Sequence, residues 1–289
     1  MKKDTQPEYI FGLDSFGDLA AKKDGTMTNY AEAIRLVIKE SVLAEKVGID
    51  AITLGEHHRA DFAISSPEMV LAAIASKTKR IKLASGVTVL SSDDPVRVFE
   101  RFSTLDAVSG GRAQIILGRG SFTESFPLFG YDLRDYEELF EEKIELFSKI
   151  LKEEPVSWQG THTQSLDAAD IFPKTESGKL ETLVGVGGSP QSVIRAAAYD
   201  FPLMFAIIGG SPERFAPYAD LYKRAVAEFG RTPHPIGMHS PGFIADTDEE
   251  AVKLAFPWFK EQMDRVGKTR GWAPMSREHF RGEVKHGSM

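Results

Sequence analysis

Polar and glycine-rich segments follow several apolar runs of this sequence, and their side chains are the ones that could do chemistry. Glu56 and His57 come directly after one run, and an imidazole has an ordinary pKa near neutrality, as a general acid or base requires. Arg119 stands between two glycines, and its planar guanidinium suits bidentate binding of phosphate. Residues 187–189 precede a proline, where N–H groups at a helix start can bind an anion. Together these segments favour a phosphate-bearing ligand.

Each of these segments also has a plainer interpretation. The turn at 185–190 is not the dinucleotide fingerprint, because Pro190 replaces its third glycine, and no Walker lysine follows. Loops between strands and helices use glycine in any case, and Arg119 could be a solvated loop residue. His57 and His58 could be ordinary histidines at a strand end.

The two adjacent histidines do not indicate a metal site. If the strand continues through them, successive side chains point to opposite faces, so His57 and His58 would not converge on one ion. The sequence shows no second His, Asp or Glu cluster at metal-ligand spacing. It contains no cysteine, which excludes disulfides, thiolate metal sites and cysteine catalysis.

Seven apolar runs alternate with amphipathic stretches along the chain, and this alternation must position the polar segments. Such a pattern predicts a parallel sheet covered by helices, with ligands at the carboxyl ends of the strands. Whether the sheet is open or closed into a barrel does not follow from the spacing. The predicted strands are 9–13, 49–54, 81–90, 113–117, 182–186, 203–208 and a segment within 235–245.

Several helix boundaries are also predicted. Asn29 and Asp94 stand where N-caps are expected, Gly48 and Gly110 where helices should end, and residues 65–68 have capping-box spacing. The segment 155–181 is polar and rich in turns and is interpreted as an excursion with a small hairpin. Pro257 is expected to kink the last long helix.

The composition is that of an ordinary globular protein. The chain has 289 residues, 42% of them hydrophobic, and a formal net charge of −7. No apolar run approaches the roughly 18–20 residues of a membrane helix, and no secretory signal core follows the first residues. The acidic balance argues against nucleic acid or an anionic membrane as partner, and the lack of cysteine is compatible with a cytoplasmic location.

The chain resembles the bacterial luciferase-like, flavin-dependent monooxygenases over nearly its whole length. No single piece of the match is specific, but the combined spacing is. The matching segments are 81–90, 94–97, 105–112 and 118–120, with 56–58 at the corresponding distance upstream and 184–192 and 206–210 downstream.

This resemblance implies a TIM-type (β/α)8 barrel that binds reduced FMN, or a deazaflavin in some branches. A separate reductase would supply reduced FMN, which would use O2 to oxidise a small organic substrate. The resemblance also implies a homodimer. Rival interpretations are a deazaflavin-dependent reductase, a non-catalytic flavin-binding relative, and an unrelated TIM-barrel lyase or hydrolase, which would need a lysine or a carboxylate pair at strand ends.

The resemblance also assigns roles to residues. His57 matches a catalytic base, Arg119 a phosphate-binding residue, and the Gly86–Val87 bond a non-proline cis peptide. Residues 187–189 depart from luciferase itself, which uses a carboxylate and hydroxyls there, so their phosphate contacts would come mainly from the backbone. The expected cofactor-binding residues are Glu56, Gly86, Val87, Thr88, Arg119, Gly187, Gly188, Ser189, Gly209 and Gly210. The expected substrate-pocket residues, which could instead be core or loop residues, are Phe11, Phe122 and His239.

The number of predicted strands indicates whether the expected barrel is complete. Seven strand–helix units extend to about residue 266, and we expect one domain over 1–289 with an irregular tail at 267–289. That tail has no β-branched run to form an eighth strand. The sequence therefore predicts a barrel that lacks its last strand and helix, or one closed by a partner chain.

Overall fold

The computed structural model describes residues 9–22, 24–208 and 212–285. The chain divides into two compact units, Met1–Gly185 and Val186–Met289. In the part of the chain that is described, no helix is both long enough and apolar enough to cross a membrane.

A parallel sheet forms the centre of the first unit. Each strand pairs in parallel with the next, and the order follows the sequence apart from an inserted hairpin. The carboxyl ends of these strands therefore lie along one edge of the sheet, which we call the carboxyl edge. The strands are β1 (Gly12–Ser15), β2 (Ala51–Leu54), β3 (Lys82–Val89), β4 (Ala113–Gly118) and β7 (Glu181–Val186).

Helices connect these strands and cover the sheet. Apolar side chains on these helices are fully buried, among them Leu71, Phe99 and Phe147. Their burial explains the amphipathic spacing in the sequence, because one face of each helix packs on the core. The helices are α1 (Tyr30–Val47), α2 (Pro67–Ala75), α3 (Pro95–Ser109), the short α4 (Ser125–Leu128) and α5 (Tyr136–Ile150), and 3-10 turns span Leu90–Ser92 and Leu133–Asp135.

Most of the predicted helix boundaries are confirmed. Asn29 forms a complete capping box with Glu32, and the Asp94 carboxylate accepts the N–H groups of Val96 and Arg97. Gly48 and Gly110 end their helices in the left-handed conformation. The capping box predicted at 65–68 is wrong: the N-cap is Ser66, which makes no side-chain cap, so Glu68 stands at N2 rather than N3, and its carboxylate lies 2.8 Å from Nε of Arg101 on α3.

The excursion at 155–181 contains the predicted hairpin. Strand β5 (Val156–Trp158) pairs antiparallel with β6 (Leu166–Ala169). The Glu142 carboxylate on α5 accepts the N–H groups of Thr161, His162 and Thr163 at 2.8–3.0 Å, which holds the hairpin turn. The hairpin is therefore tied to the helix that precedes it.

The second unit continues the alternation of strands and helices. Strand β8 (Leu203–Ala206) pairs in parallel with β9 (Gly237–His239). With the five strands of the first unit, the described residues contain seven strands of the alternating set, and no eighth follows β9 among them. The helices of this unit are α6 (Pro190–Ala198), α7 (Ala216–Glu228), α8 (Asp248–Arg270) and α9 (Arg277–Lys285), and a 3-10 turn spans Pro212–Phe215.

The structure corrects two predicted boundaries. The tail is not irregular, because α8 extends past 267 with Pro257 inside it, and α9 follows. Phe280 of α9 is fully buried against Phe256 and Phe259, a partnership that the local sequence pattern does not reveal. The first strand begins at Gly12 rather than at residue 9, because pairing with β2 starts where Gly12 lies opposite Ala51.

Candidate active site

Glu56 connects the loop after β2 to the end of β3 at the carboxyl edge. One carboxylate oxygen lies 2.9 Å from Nε2 of His58, and the other accepts the N–H of Val89 at the end of β3, also at 2.9 Å. The side chains of Glu56 and His58 are only 8% and 11% exposed. Glu56 therefore fixes the loop after β2 to the neighbouring strand.

His57 points away from His58 and into a group of aromatic rings. Its ring stacks on Phe62 with centroids 4.2 Å apart, while Phe16 and Phe122 approach edge-on at 5.2 and 5.5 Å. We call these four residues the aromatic cluster. A Cβ on Gly55 would lie 2.7 Å from the His57 ring, so this turn requires glycine. His57 and His58 have different surroundings, although β2 ends at Leu54 and the strand geometry assumed for the two histidines therefore does not apply.

The aromatic cluster controls the charge of His57. Burial lowers the pKa of the imidazole from 6.5 to about 4, while Asp61 and a hydrogen bond with the Phe16 backbone act in the opposite direction. His57 is therefore neutral at pH 7. Its Nδ1 atom is buried and has no hydrogen-bond partner among the described residues. A neutral imidazole with an unpartnered nitrogen can exchange a hydrogen bond or a proton with a bound ligand.

The end of β3 carries a bulge at the predicted position. The Gly86–Val87 peptide is cis, and pairing with β4 shifts between Gly86 and Thr88. A Cβ on Gly86 would lie 2.2 Å from Cγ2 of Thr53, and Cβ atoms on Gly118 and Gly185 would lie 2.5 and 2.9 Å from the Val87 methyls. These glycines therefore clear the space that the bulge occupies.

Thr88 follows the bulge but faces the sheet. Its side chain is buried, and its hydroxyl donates to Ser85 Oγ at 2.8 Å. A cofactor contact at this position would therefore involve its backbone rather than its hydroxyl.

Arg119 lies just beyond the end of β4 and already has a carboxylate partner. Its guanidinium pairs with Glu137 and lies 5.4 Å from the centre of the Tyr136 ring. The Tyr136 hydroxyl donates to the Gly120 carbonyl at 2.7 Å. The first turn of α5 therefore both supports Arg119 and supplies its counter-ion. The Arg119 side chain is 27% exposed, so solutes can reach it.

Two residues next to His57 were not assigned a role from the sequence. Arg59, 10% exposed, binds Asp61 and Glu124 and lies 4.7 Å from the centre of the Phe122 ring, and so joins the loops after β2 and β4. Its position in the Glu-His-His-Arg run was the available signal. Phe16 contacts His57, and its only signal was its place just after the first strand.

Phe11, predicted to line the substrate pocket, does not lie near this cluster. Its side chain is 62% exposed, and its N–H donates to the Asp50 carboxylate. Both residues lie at the amino ends of β1 and β2, opposite the carboxyl edge. The prediction for Phe11 is wrong because the first strand starts three residues later than expected. Phe122, by contrast, lies in the aromatic cluster, and its place in a substrate pocket stays a prediction.

The second unit holds the remaining predicted residues. Ser189 caps α6 by accepting the N–H of Ser192, and Gly188 has a φ of 104°. Because Pro190 has no N–H, an anion here would contact the backbone of 187–189 and Gln191. His239 ends β9, its carbonyl accepts the N–H of Ile207, and burial lowers the pKa of its imidazole. Gly209 and Gly210 lie outside the described residues.

The alternating strands, together with a buried histidine and an arginine at strand ends, define an α/β protein with a candidate active site at the carboxyl edge. The chain belongs to the luciferase-like monooxygenase family, whose model matches residues 15–286. It is 24% identical over 239 residues to the alkanal monooxygenase alpha chain of Photorhabdus luminescens. That match covers 82% of this chain and 65% of the relative, so the chain spans slightly under two thirds of the relative's length.

Solved structures show the same fold. The oxygenating constituent of 3,6-diketocamphane monooxygenase from Pseudomonas putida, in complex with FMN, matches with a TM-score of 0.74 and 22% identity, over 95% of this chain and 83% of that one. The coenzyme F420 dependent tetrahydromethanopterin reductase of Methanopyrus kandleri matches with a TM-score of 0.67 and 20% identity, over 84% and 69%. The predicted TIM-type α/β fold is confirmed.

Proposed function

We propose that this protein is a flavin-dependent monooxygenase that uses reduced FMN and O2 to oxidise a small organic substrate. The observation that carries the proposal is the buried, neutral His57 with its unpartnered Nδ1 in the aromatic cluster. Membership of the luciferase-like monooxygenase family supports it.

The residues at the carboxyl edge of the first unit fit a flavin. Val87 is partly exposed at the bulge, where glycines replace the side chains that would collide with it. Arg119 supplies a guanidinium for the flavin phosphate, and Glu56 holds the loop after β2 against the end of β3 next to the bulge. When bound, reduced flavin supplies the electrons with which O2 is activated. We propose the backbone of 187–189 as a further phosphate contact.

His57 acts in this scheme as the residue that moves a proton. Because it is neutral at pH 7, it can accept a proton from a substrate or hold a hydrogen bond at Nδ1 without first releasing a proton. The surrounding rings of Phe16, Phe62 and Phe122 exclude water from the imidazole. The same rings favour an apolar substrate, for which Phe122 supplies one wall.

The proposal extends to partners and location. A separate reductase would supply reduced FMN, and the protein would function in the cytoplasm as a homodimer. Sedimentation equilibrium tests the dimer directly.

Anaerobic titration with reduced FMN tests the proposed cofactor. We expect bound flavin after ultrafiltration, followed by O2-dependent oxidation of members of a panel of alkanals and bicyclic ketones. The His57→Asn variant should retain flavin binding and lose turnover by about 10²-fold or more, the usual contribution of a general acid or base. Unchanged turnover by this variant would remove the role assigned to His57.

A deazaflavin-dependent reductase is the second candidate, and the structural likeness to a coenzyme F420 dependent reductase favours it. Parallel titrations with reduced FMN and with reduced F420 separate the two, because each candidate should bind its own cofactor more tightly. A chain that binds flavin but oxidises and reduces nothing in the panel would match the non-catalytic alternative.

A further inference from the structure

The proposed function assigns the Arg119 guanidinium to the flavin phosphate, but this guanidinium forms an ion pair with Glu137. The flanking residues hold Arg119 in place: a Cβ on Gly118 would lie 2.5 Å from Val87 Cγ2, and a Cβ on Gly120 would lie 2.7 Å from Val89 Cγ1. The backbone on both sides of Arg119 is therefore packed against β3. Its guanidinium reaches the first turn of α5, where Glu137 is its carboxylate partner.

Glu137 can leave this ion pair at little cost. Its side chain is 60% exposed, so water can solvate the carboxylate after the guanidinium withdraws. It also lies in the first turn of α5, where the helix dipole favours a negative charge with or without Arg119.

Arg119 keeps its support when Glu137 leaves. The Tyr136 ring lies 5.4 Å from the guanidinium carbon, and the Tyr136 hydroxyl is bonded to the Gly120 carbonyl. A phosphate, with more charge and three acceptor oxygens, is a stronger partner for a guanidinium than one exposed carboxylate.

We propose that Glu137 is a built-in competitor for the phosphate site: it neutralises Arg119 in the absence of ligand and is displaced by a phosphate-bearing cofactor. This inference rests on the proposed function and deepens it, because it makes Glu137 a determinant of cofactor affinity. Glu137 lowers the affinity for any phosphate-bearing ligand while preventing an uncompensated cation at the site.

Anaerobic ultrafiltration with dithionite-reduced FMN and with reduced riboflavin tests the inference, because the two flavins differ only in the phosphate. The Glu137→Gln variant should bind reduced FMN about two- to fivefold more tightly than the wild type, the range set by an exposed ion pair. Its affinity for riboflavin should not change. Glu138→Gln is the matched control, because it removes the same charge one residue further along α5.

The Arg119→Met variant separates failure of the inference from failure of the proposed function. If Arg119→Met weakens FMN binding and Glu137→Gln does not tighten it, the competitor role is overturned while the phosphate site stands. If Arg119→Met leaves FMN binding unchanged, the phosphate site at Arg119 is itself wrong. In the double variant with Arg119→Met and Glu137→Gln, the tighter FMN binding expected of Glu137→Gln should disappear. FMN binding that Glu137→Gln still tightens in the Arg119→Met background, or that Glu138→Gln tightens equally, contradicts the inference.

Discussion

His57 and His58 are neighbours in the chain with opposite surroundings. The His58 ring is bonded to the Glu56 carboxylate, whereas the His57 ring lies among Phe16, Phe62 and Phe122. A polar partner suits a structural role, and an apolar enclosure suits a neutral base. The position of His57 just after β2 was predictable from sequence. Its protonation state was not, because the rings that surround it come from three separate loops.

The pH dependence of stability should reveal the burial of His57. Its pKa is about 4 in the folded chain and 6.5 in the unfolded chain, so the unfolded chain binds more protons between these values. The contribution of His57 to the free energy of unfolding is therefore largest above pH 6.5. It decreases by up to about 3 kcal/mol as the pH falls from 6.5 towards 4. Urea unfolding at several pH values measures the free energy of unfolding.

The His57→Gln variant should lose this part of the pH dependence, since it has no imidazole to titrate. The matched control is His279→Gln, which alters an exposed histidine on α9 and leaves His57 in place. An unfolding free energy with the same slope in wild type and His57→Gln would show that His57 is not buried as described.

For the helices and strands, the sequence predicts features that neighbouring residues decide, but not side-chain pairs between residues far apart in the chain. Asn29 and Asp94 cap their helices because a cap needs only the next three residues. The box predicted at 65–68 does not form, and Glu68 instead pairs with Arg101 from another helix. Arg59 was missed because its partner Glu124 lies 65 positions away in the sequence.

The β3 bulge provides a test of element packing. A Cβ on Gly118 would lie 2.5–2.9 Å from the side-chain carbons of Val87, so Gly118→Ala should destabilise the fold by about 1–3 kcal/mol. Combining it with Val87→Gly removes the atoms in the way, and the double variant should be more stable than the sum of the single effects predicts. Urea unfolding of all four proteins gives the coupling energy.

Gly282→Ala is the control for the Gly118 and Val87 variants. A Cβ there meets no atom within 4 Å, and the residue lies within α9, so alanine should be neutral or stabilising. Strict additivity of Gly118→Ala and Val87→Gly would contradict the proposed packing of the bulge.

The contact between α8 and α9 provides a second test. Phe280 is fully buried, with ring centroids 5.2 Å from Phe256 and 5.3 Å from Phe259. Phe280→Ala should lower the free energy of local unfolding by about 3–5 kcal/mol. Amide hydrogen exchange in α8 and α9 should then become faster. Phe229→Ala, at a residue 48% exposed, is the control. Unchanged exchange across 248–285 would show that Phe280 does not anchor α9.

At the scale of the whole molecule, the sequence predicted the fold class because the alternation of apolar runs is a global pattern. Seven strands of the alternating set are present among the described residues, as counted from the sequence. The tail was misread because the helical character of 277–285 depends on burying Phe280 against another helix. Tertiary contacts, rather than local preference, decide such short segments.

Cofactor binding should appear as added stability of the whole chain. A ligand that binds only the folded state at about 100 times its Kd raises the free energy of unfolding by about 2.7 kcal/mol. We therefore expect reduced FMN, under anaerobic conditions, to raise the thermal midpoint by several degrees. Riboflavin at the same concentration should raise it less, because it lacks the phosphate that Arg119 would bind. Since Arg119 accounts for that difference, Arg119→Met should bring the two midpoints together; equal shifts by FMN and riboflavin in the wild type would contradict a phosphate site.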